Sequence, residues 1–128
     1  MRVAKNQVDV QLDIPGAVLR QRLNFGDVRG FDTISGEYFS LSAGVDTTPL
    51  FKGLEGDSCQ CPHWGFVLRG QITTTAADGT QETVNADDLF YWPPGHNVKV
   101  DVDAEIVMFS PQREHSHVIQ HMARMLNA

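Results

Sequence analysis

The residues of this chain best suited to chemistry are concentrated in one short tract, Cys59-Gln60-Cys61-Pro62-His63. In an extended chain every second side chain projects to the same face, so Cys59, Cys61 and His63 would stand side by side as two thiols and an imidazole. Such donors prefer a borderline-soft divalent ion to magnesium or calcium, zinc first, with nickel or iron behind it. Cysteines two residues apart sit awkwardly for a relaxed disulfide, so both are expected as free thiols. A competing reading makes Cys59 to Pro62 a turn, because Pro62 lacks an amide hydrogen and restricts Cys61. One thiol would then point inward while the other serves as apolar filler. A third reading makes Cys61 a redox-responsive thiol beside a His63 imidazolium that favours the thiolate.

Other chemistry-bearing residues carry weaker signals. Trp64, Phe66, Tyr91 and Trp92 could stack on a sugar or an aromatic ligand, although barrel aromatics mainly fill volume. Asp46, Thr47 and Thr48 fall in an irregular stretch and could line a pocket mouth. His115, His117 and His121 fall on the C-terminal helix, and His117 and His121, one turn apart at the edge of its apolar face, are expected in a solvated or interface role. No Ser-His-Asp order, phosphate-cradling glycine loop or pair of catalytic carboxylates stands out, and Asp87 and Asp88 read as turn and strand-entry residues.

These side chains must be placed by a β-rich scaffold. Turn signals recur at Pro15-Gly16, Gly26-Asp27, Ser35-Gly36, Ala43-Gly44, Asp78-Gly79 and Pro93-Pro94-Gly95, the spacing of an all-β sandwich or barrel. Between them, strands are predicted over 18–23, 37–42, 63–69, 71–76, 80–84, 89–92, 97–102 and 105–109. Asp78-Gly79 predicts a two-residue type I′ hairpin turn. The stretch 44–58 has no period and reads as a loop, where function often resides. From Pro111 the pattern turns helical, with Val118, Ile119, Met122, Met125 and Leu126 at the spacing of one face.

With 128 residues the chain suits one domain, a barrel core at about 18–110 followed by a helix at about 112–126. A formal charge of −6 gives no general attraction to nucleic acid or anionic lipid. No apolar run approaches a bilayer span, and residues 1–11 lack the apolar core of a signal peptide, so a cytoplasmic location with neither membrane nor nucleic acid as partner is expected.

Two segments resemble the paired motifs of the cupin superfamily, small jelly-roll β-barrels. His63-Trp64-Gly65-Phe66-Val67-Leu68-Arg69-Gly70 is similar to the tail of the first motif, with Gly70 as its terminal glycine. Asp88-Leu89-Phe90-Tyr91-Trp92-Pro93-Pro94-Gly95 is similar to the Pro-x-Gly half of the second. Cys-Pro-His-Trp-Gly is similar to a segment of a group of small bacterial cupins. The metal-ligand positions differ: His63 stands where the family has glutamate, Val98 where it has the last histidine, and Asp87 where the second motif opens with glycine. The resemblance implies that His96, just past Gly95, reaches the same interior pocket as Cys59, Cys61 and His63, giving up to four metal donors. Val67, Tyr91 and Val98 are then expected to line the ligand pocket. A small-molecule-binding cupin is implied, either a metal-dependent enzyme or a metal-free binding or sensing module, and a homodimer would fit small cupins.

Overall fold

A computed structural model of the chain describes residues 1–26 and 29–127, so Asp27 of the expected Gly26-Asp27 turn lies outside the described residues. The strands are β1 (Val10–Ile14), β2 (Ala17–Arg22), β3 (Ile34–Leu41), β4 (His63–Ala76), β5 (Gln81–Asn85), β6 (Leu89–Trp92) and β7 (His96–Pro111). A four-residue helix, α1 (Thr48–Phe51), interrupts the long loop, and α2 (Gln112–Leu126) ends the chain. The strands pair antiparallel in the order β1-β2-β3-β7-β4-β5, while β6 pairs with the first part of β4. This is the jelly-roll barrel with a C-terminal helix that the sequence predicts.

Two long strands shape the site. Each joins a pair of predicted segments, and they pair with one another from Trp64↔Phe109 to Ala76↔His96. Register shifts between Val67 and Ile72 bend this ribbon. They also exchange the inward face of β4, from His63 and Val67 before the bend to Ile72 and Thr74 after it, because one extra residue moves every later side chain across the sheet. At the bend Gly70 has φ +92°, and a Cβ there would lie 2.3 Å from the Asp103 carbonyl oxygen. Gly70→Ala is therefore expected to destabilise the protein by at least about 2 kcal/mol in urea denaturation, through backbone strain and overlap together.

Asp87, in place of the glycine that opens the second motif, has φ +72°. Aspartate tolerates this left-handed conformation better than most side chains. The Asp78-Gly79 hairpin is present, but its turn is not type I′. Only Gly79 has positive φ, and Gly79 N–H donates to the Ala76 carbonyl at 2.9 Å while Ala76 N–H donates to Thr80 at 2.8 Å. This is a tight turn closed by a left-handed glycine.

β1 escapes the sequence reading because only its alternate residues are half-buried, and α1 because it is four residues long. α2 buries His115, Val118, Ile119 and Met122, a stripe at i, i+3, i+4 and i+7. Leu126, expected on that face, is exposed. The stripe joins the barrel core formed by residues such as Leu19, Phe39, Ile106 and Met108. No helix among the described residues is long and apolar enough to cross a membrane.

Candidate metal centre

Cys59, His63 and His96 meet. Their ligand atoms all lie within 4.8 Å of one another, and all three residues are buried. His63 opens β4 and His96 opens β7, and the bend brings these strand ends together, with the imidazole centroids 5.2 Å apart. Cys59 precedes β4 in an irregular segment, yet it is tied to His96 through the backbone. Its N–H donates to the His96 carbonyl at 2.9 Å, and its own carbonyl accepts from Gly95 N–H at 2.8 Å.

The hydrogen bonds fix which ring nitrogens are free. Ser110 Oγ donates to Glu37 Oε1 at 2.6 Å, so toward His63 Nδ1, 2.7 Å away, it acts as acceptor. His63 is thus protonated on Nδ1 and presents the Nε2 lone pair, 3.5 Å from Cys59 Sγ. His96 Nδ1 lies 2.7 Å from the Pro93 carbonyl, which can only accept, so its Nε2 is free as well. Metal-binding histidines have this arrangement, with the second nitrogen donating to a carbonyl or a carboxylate-linked group. Two donors bonded to one zinc at about 2.1 and 2.3 Å in a tetrahedron would lie about 3.6 Å apart, close to the thiol-imidazole spacing observed.

Cys61 does not join them. The chain bends at Cys61, ahead of Pro62, instead of running as a strand, so the alternation of 59, 61 and 63 is broken. Cys61 Sγ lies 3.4 Å from the Pro62 carbonyl and 3.8 Å from the Pro111 carbonyl, apart from the imidazoles. Burial and the neighbouring Cys59 push its thiol up, and burial holds His63 well below the usual imidazole range. Both directions run against the redox-thiol reading, which needs Cys61 as a thiolate beside an imidazolium.

The three donors line one wall of a cavity of about 270 Å³ inside the barrel, together with Val98, Trp92 and a largely apolar set of side chains. Val98, named by the sequence reading, is among the residues that line this cavity. Val67 is fully buried but packs in the core outside this lining. Tyr91 points out of the barrel because β6 alternates; it is 48% exposed and stacks on Trp64 with centroids 5.3 Å apart. Trp92, next along β6, is the inward aromatic.

Behind His63 stands a group that the sequence reading misses. Glu37 is buried on β3, where Oε2 accepts from Gln21 Nε2 and Ser35 Oγ, each at 3.1 Å, and pairs with His115 Nδ1. His115 comes from α2, lines the cavity and packs 4.4 Å from the His63 ring. Its place on the apolar stripe of α2 was the available signal. The inward alternation of Ser35, Glu37 and Phe39 was the signal for Glu37. Of the three histidines of the C-terminal helix, His115 is the buried one. His117 is exposed, and His121 Nε2 donates to the Lys52 carbonyl at 2.8 Å. Glu37, His63 and His115 also bring ligand atoms within 4.8 Å, but Glu37 is already engaged by four donors.

Burial pushes the Cys59 thiol up to about 12, and it lowers His96 as it does His63. An unfolded chain would protonate both imidazoles as pH falls through 6.5, whereas the fold lowers both and delays their protonation, so stability drops on the acid side. On the alkaline side the unfolded thiol loses its proton above pH 9.0 while the folded one keeps it, so stability drops there too. Chelator-treated protein is expected to be most stable between these limits, losing up to about 1.4 kcal/mol per pH unit per histidine below the lower one. A flat stability profile between pH 7 and 5 in urea denaturation would contradict this.

No protein-family model matches the sequence, and no curated protein sequence matches it. Solved structures do match the fold. They include the polyketide cyclase RemF from Streptomyces resistomycificus, with TM-score 0.58, 21% identity and coverage of 87% of this chain and 78% of that one. An RmlC-like cupin from Shewanella frigidimarina matches with TM-score 0.57, 17% identity and coverage of 88% and 92%. KdgF from Halomonas matches with TM-score 0.52, 16% identity and coverage of 88% and 94%. At these identities the likeness establishes the fold, which is that of the cupins.

Proposed function

We propose that this cupin is a metal-dependent protein acting on a small molecule, with the ion held by Cys59 Sγ, His63 Nε2 and His96 Nε2. The observation that carries the reading is the commitment of both Nδ1–H groups to acceptors, which leaves two imidazole lone pairs beside one thiol on the cavity wall. One thiolate and two imidazoles favour zinc. Three protein donors would leave zinc a fourth position for water or substrate, the pattern of a catalytic rather than a structural zinc. Such an ion would polarise a carbonyl or lower the pKa of a bound water.

The chain's own residues do the rest. Glu37, through Ser110, holds His63 in its metal-binding tautomer. Glu37 also orients His115, whose ring lines the cavity and is the candidate proton carrier. Apolar walls keep bulk water from the reacting atoms.

The test is a titration of chelator-treated protein with zinc or cobalt(II) at stepped pH. Because the thiol must lose its proton and both imidazoles are already neutral, affinity is expected to rise about tenfold per pH unit between pH 7 and 8, with one proton released. Cobalt should give a thiolate charge-transfer band. Folded protein that takes up neither ion would move the reading to a metal-free binding module, which the same cavity supports.

A further inference from the structure

The cavity is unusual in what its walls omit. Leu19, Phe39, Ile106 and Met108 form much of it, and half-buried Val45 and Leu50 stand at its rim. Among the described residues no lysine or arginine lines it, and the one carboxylate that does, Asp46, is exposed on the loop before α1. Such walls cannot compensate a phosphate, a carboxylate or a row of hydroxyls taken out of water. Polar groups gather instead where Cys59, His63, His96 and His115 converge. In that region Trp92 carries the one buried side-chain nitrogen without a hydrogen-bond partner among the described residues. The indole lies beside both metal-binding imidazoles, its centroid 6.3 Å from that of His63 and 5.7 Å from that of His96.

We infer that the ligand of this cavity is a compact, largely apolar molecule, such as an aromatic or branched ketone, aldehyde or alcohol, bearing one oxygen function at the imidazole end and no charge elsewhere. Its size follows from the volume: a cavity of about 150 Å³ holds benzene, so 270 Å³ suits a body of about ten non-hydrogen atoms. The oxygen would face the open metal position, and its remaining lone pair is the acceptor the Trp92 N–H lacks. Sugars, sugar phosphates and dicarboxylates are excluded by the walls rather than by size. The inference takes the metal centre proposed above as the polar end of the cavity.

Binding of acetophenone, glucose and succinate to zinc-loaded and to chelator-treated protein tests the class, read by ligand-observed NMR and by the shift in thermal midpoint. Acetophenone is expected to saturate a single site, while glucose and succinate show none at tenfold higher concentration. Val45→Trp, which fills the rim without touching a donor, is expected to weaken acetophenone at least tenfold and to leave metal content unchanged. Trp92→Phe is expected to weaken it severalfold with the fold retained. Saturation by glucose or succinate, absence of acetophenone binding to folded zinc-loaded protein, or acetophenone binding indifferent to Val45→Trp would overturn the inference. Acetophenone binding that is sensitive to Val45→Trp in a protein that takes up no metal would remove the metal centre and leave the ligand class standing.

Discussion

Cys59→Ala, His63→Ala and His96→Ala are each expected to lower zinc affinity by more than about a hundredfold, whereas Cys61→Ala retains stoichiometric zinc. The contrast follows from position. The first three side chains share one wall of the cavity within 4.8 Å, and Cys61 turns toward the Pro111 carbonyl. Losing a group that merely orients a ligand already costs about 10- to 100-fold, so losing a ligand should cost more. Ser110→Ala falls in that intermediate range, because the His63 ring keeps its place but loses the acceptor that fixes its tautomer. Elemental analysis after gel filtration, with a competitive chelator to set the scale, reads all five proteins. Equal loss in the Cys61 variant, or full retention in any of the first three, would remove the proposed centre.

The second large effect is expected at Glu37. Its carboxylate is 1% exposed and satisfies Gln21, Ser35, Ser110 and His115 together. Glu37→Ala removes the shared acceptor of those donors, leaving Gln21 and Ser35 only their longer bonds at 3.3 and 3.4 Å, and opens a void, at a cost of about 3–5 kcal/mol. Against a typical total of about 5–15 kcal/mol this is a large share, and the thermal midpoint should fall by about 10 °C or more. Glu37→Gln keeps the volume and one acceptor oxygen, so it should cost about 1–3 kcal/mol and remain folded. In that variant zinc affinity is the informative readout. It should drop, since Ser110 is no longer held as an acceptor for His63, while a carboxylate with a purely structural role would leave it untouched.

Much of the fold could be read from residues close together in the chain. Hairpin positions, the two motif strands and the C-terminal helix depend on local period and turn chemistry, and the structure has them near their predicted places. The turn at Asp78-Gly79 shows the limit of that reading, since a favoured dipeptide sets the hairpin but not the backbone of every residue in it. The site is less legible for a physical reason. Glu37, His63, Ser110 and His115 come from β3, β4, β7 and α2, and the registers Ser35↔Ser110 and Trp64↔Phe109 together with the packing of α2 bring them together. No short spacing encodes that meeting. Cys61 fails for the opposite reason. A spacing was present, but period-two alternation holds only where the chain is a strand, and the strand starts at His63.

The backbone link between Cys59 and His96 carries a further consequence. A donor delivered by a long irregular loop is anchored to the start of a barrel strand, and residues 44–47 of the same loop are tied separately to Val98 and Val100 of that strand, so the thiol's place does not depend on the side chains between. That loop supplies Val45, Thr47, Pro49 and Leu50 to the cavity lining. On the reading proposed above, reactivity and selectivity would rest on different side chains, and replacing Val45, Pro49 and Leu50 while keeping Thr47, whose hydroxyl accepts from Val98 N–H at 2.8 Å, should retune which molecules enter and leave the donors in place.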